Sequence, residues 1–148
     1  MGKLVEQFEE RIAEMLQVPH VVAVTNGTSA LALALLEAGV GAGDEVIVPN
    51  RTWIATAHAA HLLGAKPVFV DVEPHRPIID VASVEALITN RTKVILPVHL
   101  NGCNCNMPEL RSIAERHGIT IIEDAAQALF SVSGEGGFLG THSRSGCY

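Results

Sequence analysis

The chain has 148 residues, of which 48% are hydrophobic and 18% charged, and its formal net charge at pH 7 is -6. This length and apolar content suit one domain with a buried core, while the negative charge argues against nucleic acid or an anionic membrane as the main partner. Three cysteines, an odd number, together with the lack of a signal peptide or long apolar span, predict a cytoplasmic protein without a disulfide framework.

The first predicted element is a helix from Leu4 to Leu16, where apolar residues recur at three- and four-residue spacing. A short apolar strand, Val21–Val24, and a helix from Ser29 to about Glu37 follow. Four further strands are short and rich in Val and Ile, as strands buried on both faces are: Glu45–Val48, Pro67–Val70, Lys93–Val98 and Thr120–Ile122. Helices are predicted in the gaps between them, at Ile54–Leu63, Val81–Ile88 and Met107–His117.

This alternation predicts an α/β fold with three layers, in which helices cover both faces of a mostly parallel sheet. The last segment, Ser131–Tyr148, differs because it is rich in glycine and poor in apolar residues. We expect it to be a loop that leads toward a further strand without forming one.

Polar and unusual residues follow five predicted strands at the point where each strand ends. Ligands bind beyond the carboxyl ends of the strands in open parallel sheets, so we expect a binding site at this edge. The segments are Thr25–Ala30, Pro49–Trp53, Asp71, His99–Gly102 and Glu123–Gln127.

Residues Gly27, Thr28 and Ser29 begin a helix, whose N-terminus offers unpaired N–H groups to a phosphate. The alternative is that Thr28 or Ser29 only caps the helix. The lysine of a Walker sequence is absent here, and no G-x-G-x-x-G follows the first strand, which disfavours an ATPase and an NAD-binding protein.

Two single residues are candidates for holding a planar ring. Trp53, the only tryptophan, could stack on one or could be a core or interface residue. Asp124 ends an apolar strand, where a carboxylate needs a partner such as a pyridinium nitrogen, unless it caps a helix. Cys103 and Cys105 have no second ligand pair at metal-binding spacing, so no metal site is predicted.

Six motifs occur in a fixed order: Phe8-Glu9, Thr25–Leu31, Gly43–Pro49 followed by Thr52–Ala57, Pro67–Val72, Pro97–Leu100 with Gly102, and Glu123–Gln127. In this order and spacing they resemble the DegT/DnrJ/StrS family of nucleotide-sugar aminotransferases, in particular its perosamine-synthase-like members. These enzymes depend on pyridoxal 5'-phosphate (PLP) and share the fold type I of PLP-dependent transferases. The resemblance runs nearly end to end and implies that residues 1–148 are the N-terminal part of the PLP-binding large domain.

The resemblance also implies roles for individual residues. Gly27, Thr28 and Ser29 would hold the PLP phosphate, and Trp53 would cover one ring face. Asp124 would pair with the pyridine nitrogen, and Gln127 would lie near the ring hydroxyl. The family moves an amino group, usually from glutamate, onto a keto group of a nucleotide-linked sugar. His99 and Asn101 are possible pocket residues, although His99 could equally be a satisfied residue at a strand end.

In the family a lysine forms the Schiff base with PLP, in a segment expected after Tyr148 together with the remaining large-domain strands and the small domain. The lysines of this chain, Lys3, Lys66 and Lys93, lie outside that motif, so no catalytic residue is assigned and the chain alone is expected to be inactive. The family strands that would flank Val21–Val24 and Asp124 are also expected after Tyr148. We therefore expect self-association, as a homodimer or otherwise, or a rearranged first segment.

The segment Thr141–Ser145 departs from the Gly-Asp pattern common in the family, so contacts made by that loop are not carried over. Two other functions remain open. One is a PLP-dependent sugar dehydratase of the same fold, and the other is a non-catalytic regulatory protein that binds PLP or a nucleotide sugar. The sugar and the nucleotide cannot be inferred from these residues.

Overall fold

A computed structural model describes residues 2–148 and contains one sheet of five parallel strands. The strands are β1 (Glu45–Pro49), β2 (Lys66–Val70), β3 (Thr92–Ile95), β4 (Thr120–Asp124) and β5 (Ser145–Cys147). The helices are α1 (Lys3–Leu16), α2 (Gly27–Glu37), α3 (Ile54–Leu62), α4 (Val81–Val84) and α5 (Met107–His117), with 3-10 turns at Glu85–Leu87 and Leu100–Gly102. The strand order is β2-β1-β3-β4-β5.

The sheet lies between two apolar clusters, and the strands β1 and β3 supply both because successive strand residues point to opposite faces. On one face Val46 and Val48 pack with α2 and α3. On the other face Ile47 packs with residues of α4 and α5, including Met107 and Leu110. The predicted three-layer α/β fold is therefore confirmed.

Most predicted elements are confirmed with small shifts at their ends. Asp80 caps α4 by accepting a hydrogen bond from the Ala82 N–H, and Gly118 ends α5 with a positive φ of 65°, as a helix C-terminus favours. The predicted helix Val81–Ile88 is shorter, because α4 gives way to a 3-10 turn. Within residues 2–148 no helix is both long and apolar enough to cross a membrane.

The prediction of a strand at Val21–Val24 is wrong. The segment pairs with none of the strands in residues 2–148, and Val22 is 70% exposed. Its contact with the rest of the fold includes one hydrogen bond, from the Ala23 N–H to Glu9 Oε1 of α1 at 2.7 Å. The apolar pattern is typical of a buried strand, but a strand also needs a neighbour for its backbone groups. Self-association stays a prediction.

The expectation that no further strand forms after Ser131 is also wrong. Ser145–Cys147 forms β5, which pairs in parallel with β4 so that Gly146 lies beside Glu123 and Cys147 beside Asp124. The strand beside β4 was expected only after Tyr148. Its three residues are too few, and too rich in Ser and Gly, for an apolar pattern to reveal it.

The close packing of β5 against the preceding loop gives a testable prediction. A Cβ on Gly146 would overlap the carbonyl of Gly140, which is backbone and cannot move aside alone. We expect Gly146→Ala to lower the free energy of unfolding by at least about 2 kcal/mol. Gly41→Ala is the matched control, since a Cβ there meets no atom within 4 Å, and it should change stability by less than about 0.5 kcal/mol. Equal urea midpoints for the two variants would contradict this packing.

Candidate functional site

A cavity of about 220 Å³ lies at the carboxyl edge of the sheet, between the first turns of α2 and α3 and the ends of β3 and β4. Five of the six predicted site residues line it, and Ser29 does not. The lining residues are Gly27, Thr28, Leu31, Thr52, Trp53, Ala55, Thr56, Val98, Leu100, Asp124, Ala126 and Gln127.

The N-terminus of α2 forms one side of this cavity. Its cap is Asn26, whose Oδ1 accepts hydrogen bonds from the Ser29 N–H at 2.9 Å and the Ser29 hydroxyl at 3.1 Å. The alternative that Thr28 or Ser29 caps the helix is therefore wrong. The amides of Gly27 and Thr28 come first in the helix and have no intrahelical acceptor, so they are available to a ligand.

Trp53 is the N-cap residue of α3 and is 74% exposed. The alternative of a core tryptophan is therefore wrong. The Trp53 side chain makes no capping hydrogen bond, so the indole is free to lie over the cavity that its residue lines. A large apolar ring held at a cavity mouth can stack on a planar ligand.

Asp124 is the last residue of β4 and is only 5% exposed. Its Oδ2 accepts a hydrogen bond from the Thr56 hydroxyl at 2.8 Å, and its Oδ1 accepts one from the Ala126 N–H at 3.2 Å. No helix follows at this point, so the helix-cap alternative is wrong. Burial raises the pKa of the Asp124 carboxyl above its usual value, and the bonds from Thr56 and Ala126 only partly offset that effect.

Thr52 and Thr56 also line the cavity, and the sequence prediction assigned them no role. Their hydroxyl oxygens are 2.8 Å apart, so Thr52, Thr56 and Asp124 form a continuous chain of hydrogen bonds. Both threonines belong to the motif Thr52–Ala57, but threonine is common at the start of helices, and the sequence alone does not show which hydroxyl faces the sheet.

The loop after β3 carries the two possible pocket residues His99 and Asn101, and neither of them lines the cavity. Gln127 lines the cavity, and its Oε1 accepts a hydrogen bond from the backbone N–H of Asn101 at 2.8 Å. His99 is fully buried and does not line the cavity: its Nε2 lies 2.8 Å from Glu123 Oε2, and its Nδ1 accepts from the Cys105 N–H at 3.3 Å. Since Nδ1 accepts, Nε2 is the donor to Glu123. His99 is therefore a satisfied residue at a strand end.

Glu123 precedes Asp124 and points to the other side of the sheet. Although it is fully buried, its two oxygens accept four hydrogen bonds, from His99 Nε2, the Gly140 N–H, the His142 N–H and the Ser143 hydroxyl. Burial opposes ionisation of Glu123, but these bonds outweigh it and hold the pKa of its carboxyl below the usual value. We call this carboxylate and its four donors the Glu123 hub. It connects the ends of β3 and β4 to the loop before β5.

Cys105 packs near this hub as a buried side chain, and its thiol donates to the Val98 carbonyl at 3.3 Å. Burial raises the pKa of the Cys105 thiol to about 12, so the thiolate that a metal ion or an electrophile requires is disfavoured.

The model of the DegT/DnrJ/EryC1/StrS aminotransferase family matches residues 1–148. The chain belongs to this family. Family members are PLP-dependent sugar aminotransferases. Of the solved structures that are similar to this chain, one is in its PLP form and another contains the bound cofactor PMP.

Two curated relatives show how the chain compares with whole enzymes. It is 48% identical over 129 residues to the GDP-perosamine synthase of Caulobacter vibrioides, covering 87% of this chain and 35% of that enzyme. It is 44% identical over 149 residues to the UDP-N-acetyl-3-dehydro-alpha-D-glucosamine 3-aminotransferase of Acidithiobacillus ferrooxidans, covering 100% and 40%. The chain thus spans two fifths or less of the length of these relatives.

Among solved structures, DesV of S. venezuelae in complex with a ketimine intermediate is similar, with a TM-score of 0.91 and 44% identity. The match covers 95% of this chain and 38% of DesV. At that similarity the arrangement of strands and helices described above is the one these aminotransferases share.

The hub at Glu123 gives a prediction with a defined pH dependence. We expect Glu123→Gln to lower the free energy of unfolding at pH 7 by about 2–4 kcal/mol, because an amide cannot accept all four hydrogen bonds. A carboxyl whose pKa is lowered by folding stabilises the fold above its unfolded pKa and loses that contribution as pH falls through its folded pKa. The difference between variant and unaltered protein should therefore be full near pH 7 and narrow below about pH 4.3.

Urea unfolding at pH 7 and at about pH 3 measures this difference. Glu115→Gln is the control, since Glu115 is exposed on α5, and it should change stability by less than about 0.5 kcal/mol. A destabilisation by Glu123→Gln that is the same at both pH values would show that the carboxylate charge is not what the hub requires.

Proposed function

We propose that the protein is a PLP-dependent aminotransferase that transfers an amino group to a keto group of a nucleotide-linked sugar, and that residues 1–148 supply most of its cofactor pocket. The observation that carries this proposal is the placement of three unlike groups around one cavity. These are the free amides at the start of α2, the exposed indole of Trp53 and the buried carboxyl of Asp124.

The residues present fit PLP. A phosphate needs donors and open space beside them, and a Cβ on Gly27 would meet nothing nearer than the Tyr148 carbonyl oxygen at 3.8 Å. The protein itself therefore does not demand glycine at this position, whereas a ligand that approaches the backbone would. An ionised carboxylate has about four acceptor sites, and Asp124 uses two of them, so it can still accept from a pyridinium N–H.

Each residue would then have a physical task. The cofactor supplies an electron sink that stabilises negative charge next to the transferred nitrogen. Gly27 and Thr28 would bind its phosphate, and Trp53 would cover one face of its ring and exclude water. Asp124 would hold a proton on the ring nitrogen, because a buried carboxylate favours an adjacent cation.

Several finer features rest on the resemblance to the family. We propose that glutamate is the amino donor, that the lysine forming the Schiff base follows Tyr148 in the intact protein, and that the strands and small domain of the parent enzyme lie there too. A homodimer is proposed as well, supported by apolar side chains on α1, α2 and α3 that are more than half exposed, and sedimentation velocity would detect it. These side chains are Leu4, Phe8, Leu33, Leu36, Ile54 and Leu62. The cytoplasmic location stays a prediction.

The first test concerns the cofactor site. Equilibrium dialysis with PLP should give an affinity that Asp124→Asn lowers at least about tenfold, because the amide carries no charge to pair with the pyridinium. Since burial raises the pKa of Asp124, the affinity of the unaltered protein should fall as pH falls and the carboxylate is protonated, and the variant should lack this dependence.

Asp71→Asn is the matched control, because Asp71 is an exposed carboxylate at the same edge of the sheet that accepts from Asn50 Nδ2 at 2.6 Å. It should leave the affinity within about twofold. If PLP is not retained at all, or if both variants lose the same affinity, the assignment of the pocket is wrong.

The second test concerns catalysis by this chain. Lys66 is the first residue of β2 and Lys93 the second residue of β3, so both lie at the amino edge of the sheet, opposite the cavity, and Lys3 begins α1. Reduction with borohydride in the presence of PLP should therefore give no stoichiometric lysine adduct on residues 1–148, as measured by peptide mass spectrometry. A protein that continues past Tyr148 with the family lysine should give such an adduct. If that longer protein retains PLP tightly but forms no adduct, the result would favour the non-catalytic alternative.

A further inference from the structure

The chain of hydrogen bonds that ends at Asp124 has a fixed direction when that carboxyl is ionised. A carboxylate only accepts, so the single proton of the Thr56 hydroxyl is donated to Asp124 Oδ2, 2.8 Å away. Thr56 must then accept from the Thr52 hydroxyl, also at 2.8 Å. If Asp124 takes up a proton on Oδ2, both bonds can reverse without any movement of heavy atoms.

The position of Thr56 in the fold ties two parts of the cavity together. It lies in the first turn of α3, three residues after Trp53, and the residue is 1% exposed. Its hydroxyl bonds across to the end of β4 and so fixes the start of α3, with Trp53, relative to Asp124. A methyl group at the same place would preserve the volume but would remove the bond.

We propose that Thr56 is a positioning residue which, with Thr52 behind it, keeps Asp124 ionised and oriented toward the cavity. The importance of this chain for catalysis rests on the proposed function, whereas its effect on Asp124 does not. Asp124 is surrounded by apolar side chains of the cavity and by two main donors, so loss of either donor leaves a buried charge with less compensation.

Other groups act on the same carboxyl and must be separated from Thr56. In the part of the chain that the structure describes, the titratable groups that influence Asp124 or respond to it are His99 at the end of β3 and Cys147 on β5. Burial raises the pKa of Asp124, and the Thr56 bond is the largest influence that lowers it. Neither His99 nor Cys147 bonds to Thr56, so a change at Thr56 leaves their own hydrogen bonds intact.

The test is a titration of the Asp124 carboxyl carbon by NMR in the cofactor-free protein, with Asp124→Asn identifying the resonance. Thr56→Val should raise the proton affinity of Asp124 about tenfold, because a hydrogen bond to a charged group is lost. Thr56→Ser keeps the hydroxyl and should stay within about twofold of the unaltered protein. Thr52→Val should give a smaller rise, about threefold, because it removes only the group that polarises Thr56.

Thr141→Val is the control for loss of a threonine hydroxyl, since that hydroxyl donates to the Phe138 carbonyl and to no carboxylate. An unchanged Asp124 titration in Thr56→Val would overturn the proposal, and so would an equal rise in Thr56→Ser. If Thr56→Val does not fold, the unaltered protein decides: the Thr56 β-carbon should titrate with the same midpoint as Asp124, and a β-carbon that does not respond would overturn the proposal.

A second arm separates this inference from the proposed function. With PLP bound, the ¹⁵N shift of its ring nitrogen should show a smaller protonated fraction in Thr56→Val than in Thr56→Ser. If neither protein retains PLP, the proposed function fails, while the carboxyl titration still decides the role of Thr56.

Discussion

The carboxylate of Glu123 is the constraint on which the binding edge of the sheet depends. It is fully buried, yet it is ionised because four donors surround it, one from His99 after β3 and three from the loop before β5. A buried charge cannot lose one of these donors cheaply, so the loop before β5, the end of β3 and the end of β4 are held in one arrangement. Asp124 is the next residue along the chain, and its position therefore follows from a neighbour that never touches the cavity.

The pKa values of the two adjacent carboxyls, Glu123 and Asp124, are shifted in opposite directions. Both are buried, but the pKa of Glu123 is lowered and that of Asp124 is raised. The difference lies in the number of donors, since Glu123 is fully compensated and Asp124 keeps part of its accepting capacity free. Most of the hydrogen-bond donors thus go to Glu123, which has a structural role. Asp124, at the cavity, keeps acceptor sites free for a cationic partner.

Much of this arrangement could be predicted from the sequence, because the signals are strong where burial is complete. Short Val- and Ile-rich runs identified β1 to β4, position at strand ends identified Trp53 and Asp124, and the family resemblance added Gln127. Two errors share one cause: whether Val21–Val24 or Ser145–Cys147 forms a strand depends on a neighbour, and no local pattern reports it. Thr56 and Glu123 were given no role because a side chain's contacts across the sheet are not visible in spacing alone.

The parallel sheet also shapes how the chain can reach this structure. No two neighbouring strands are joined by a hairpin, and the nearest paired residues, such as Glu45 with Lys66, are 21 positions apart. Every strand pair therefore requires closure of a long loop before its contacts offset the lost chain entropy, which slows folding. During synthesis β1 can dock on β2 first, and the four donors of Glu123 are assembled last, because three of them lie between Gly140 and Ser143.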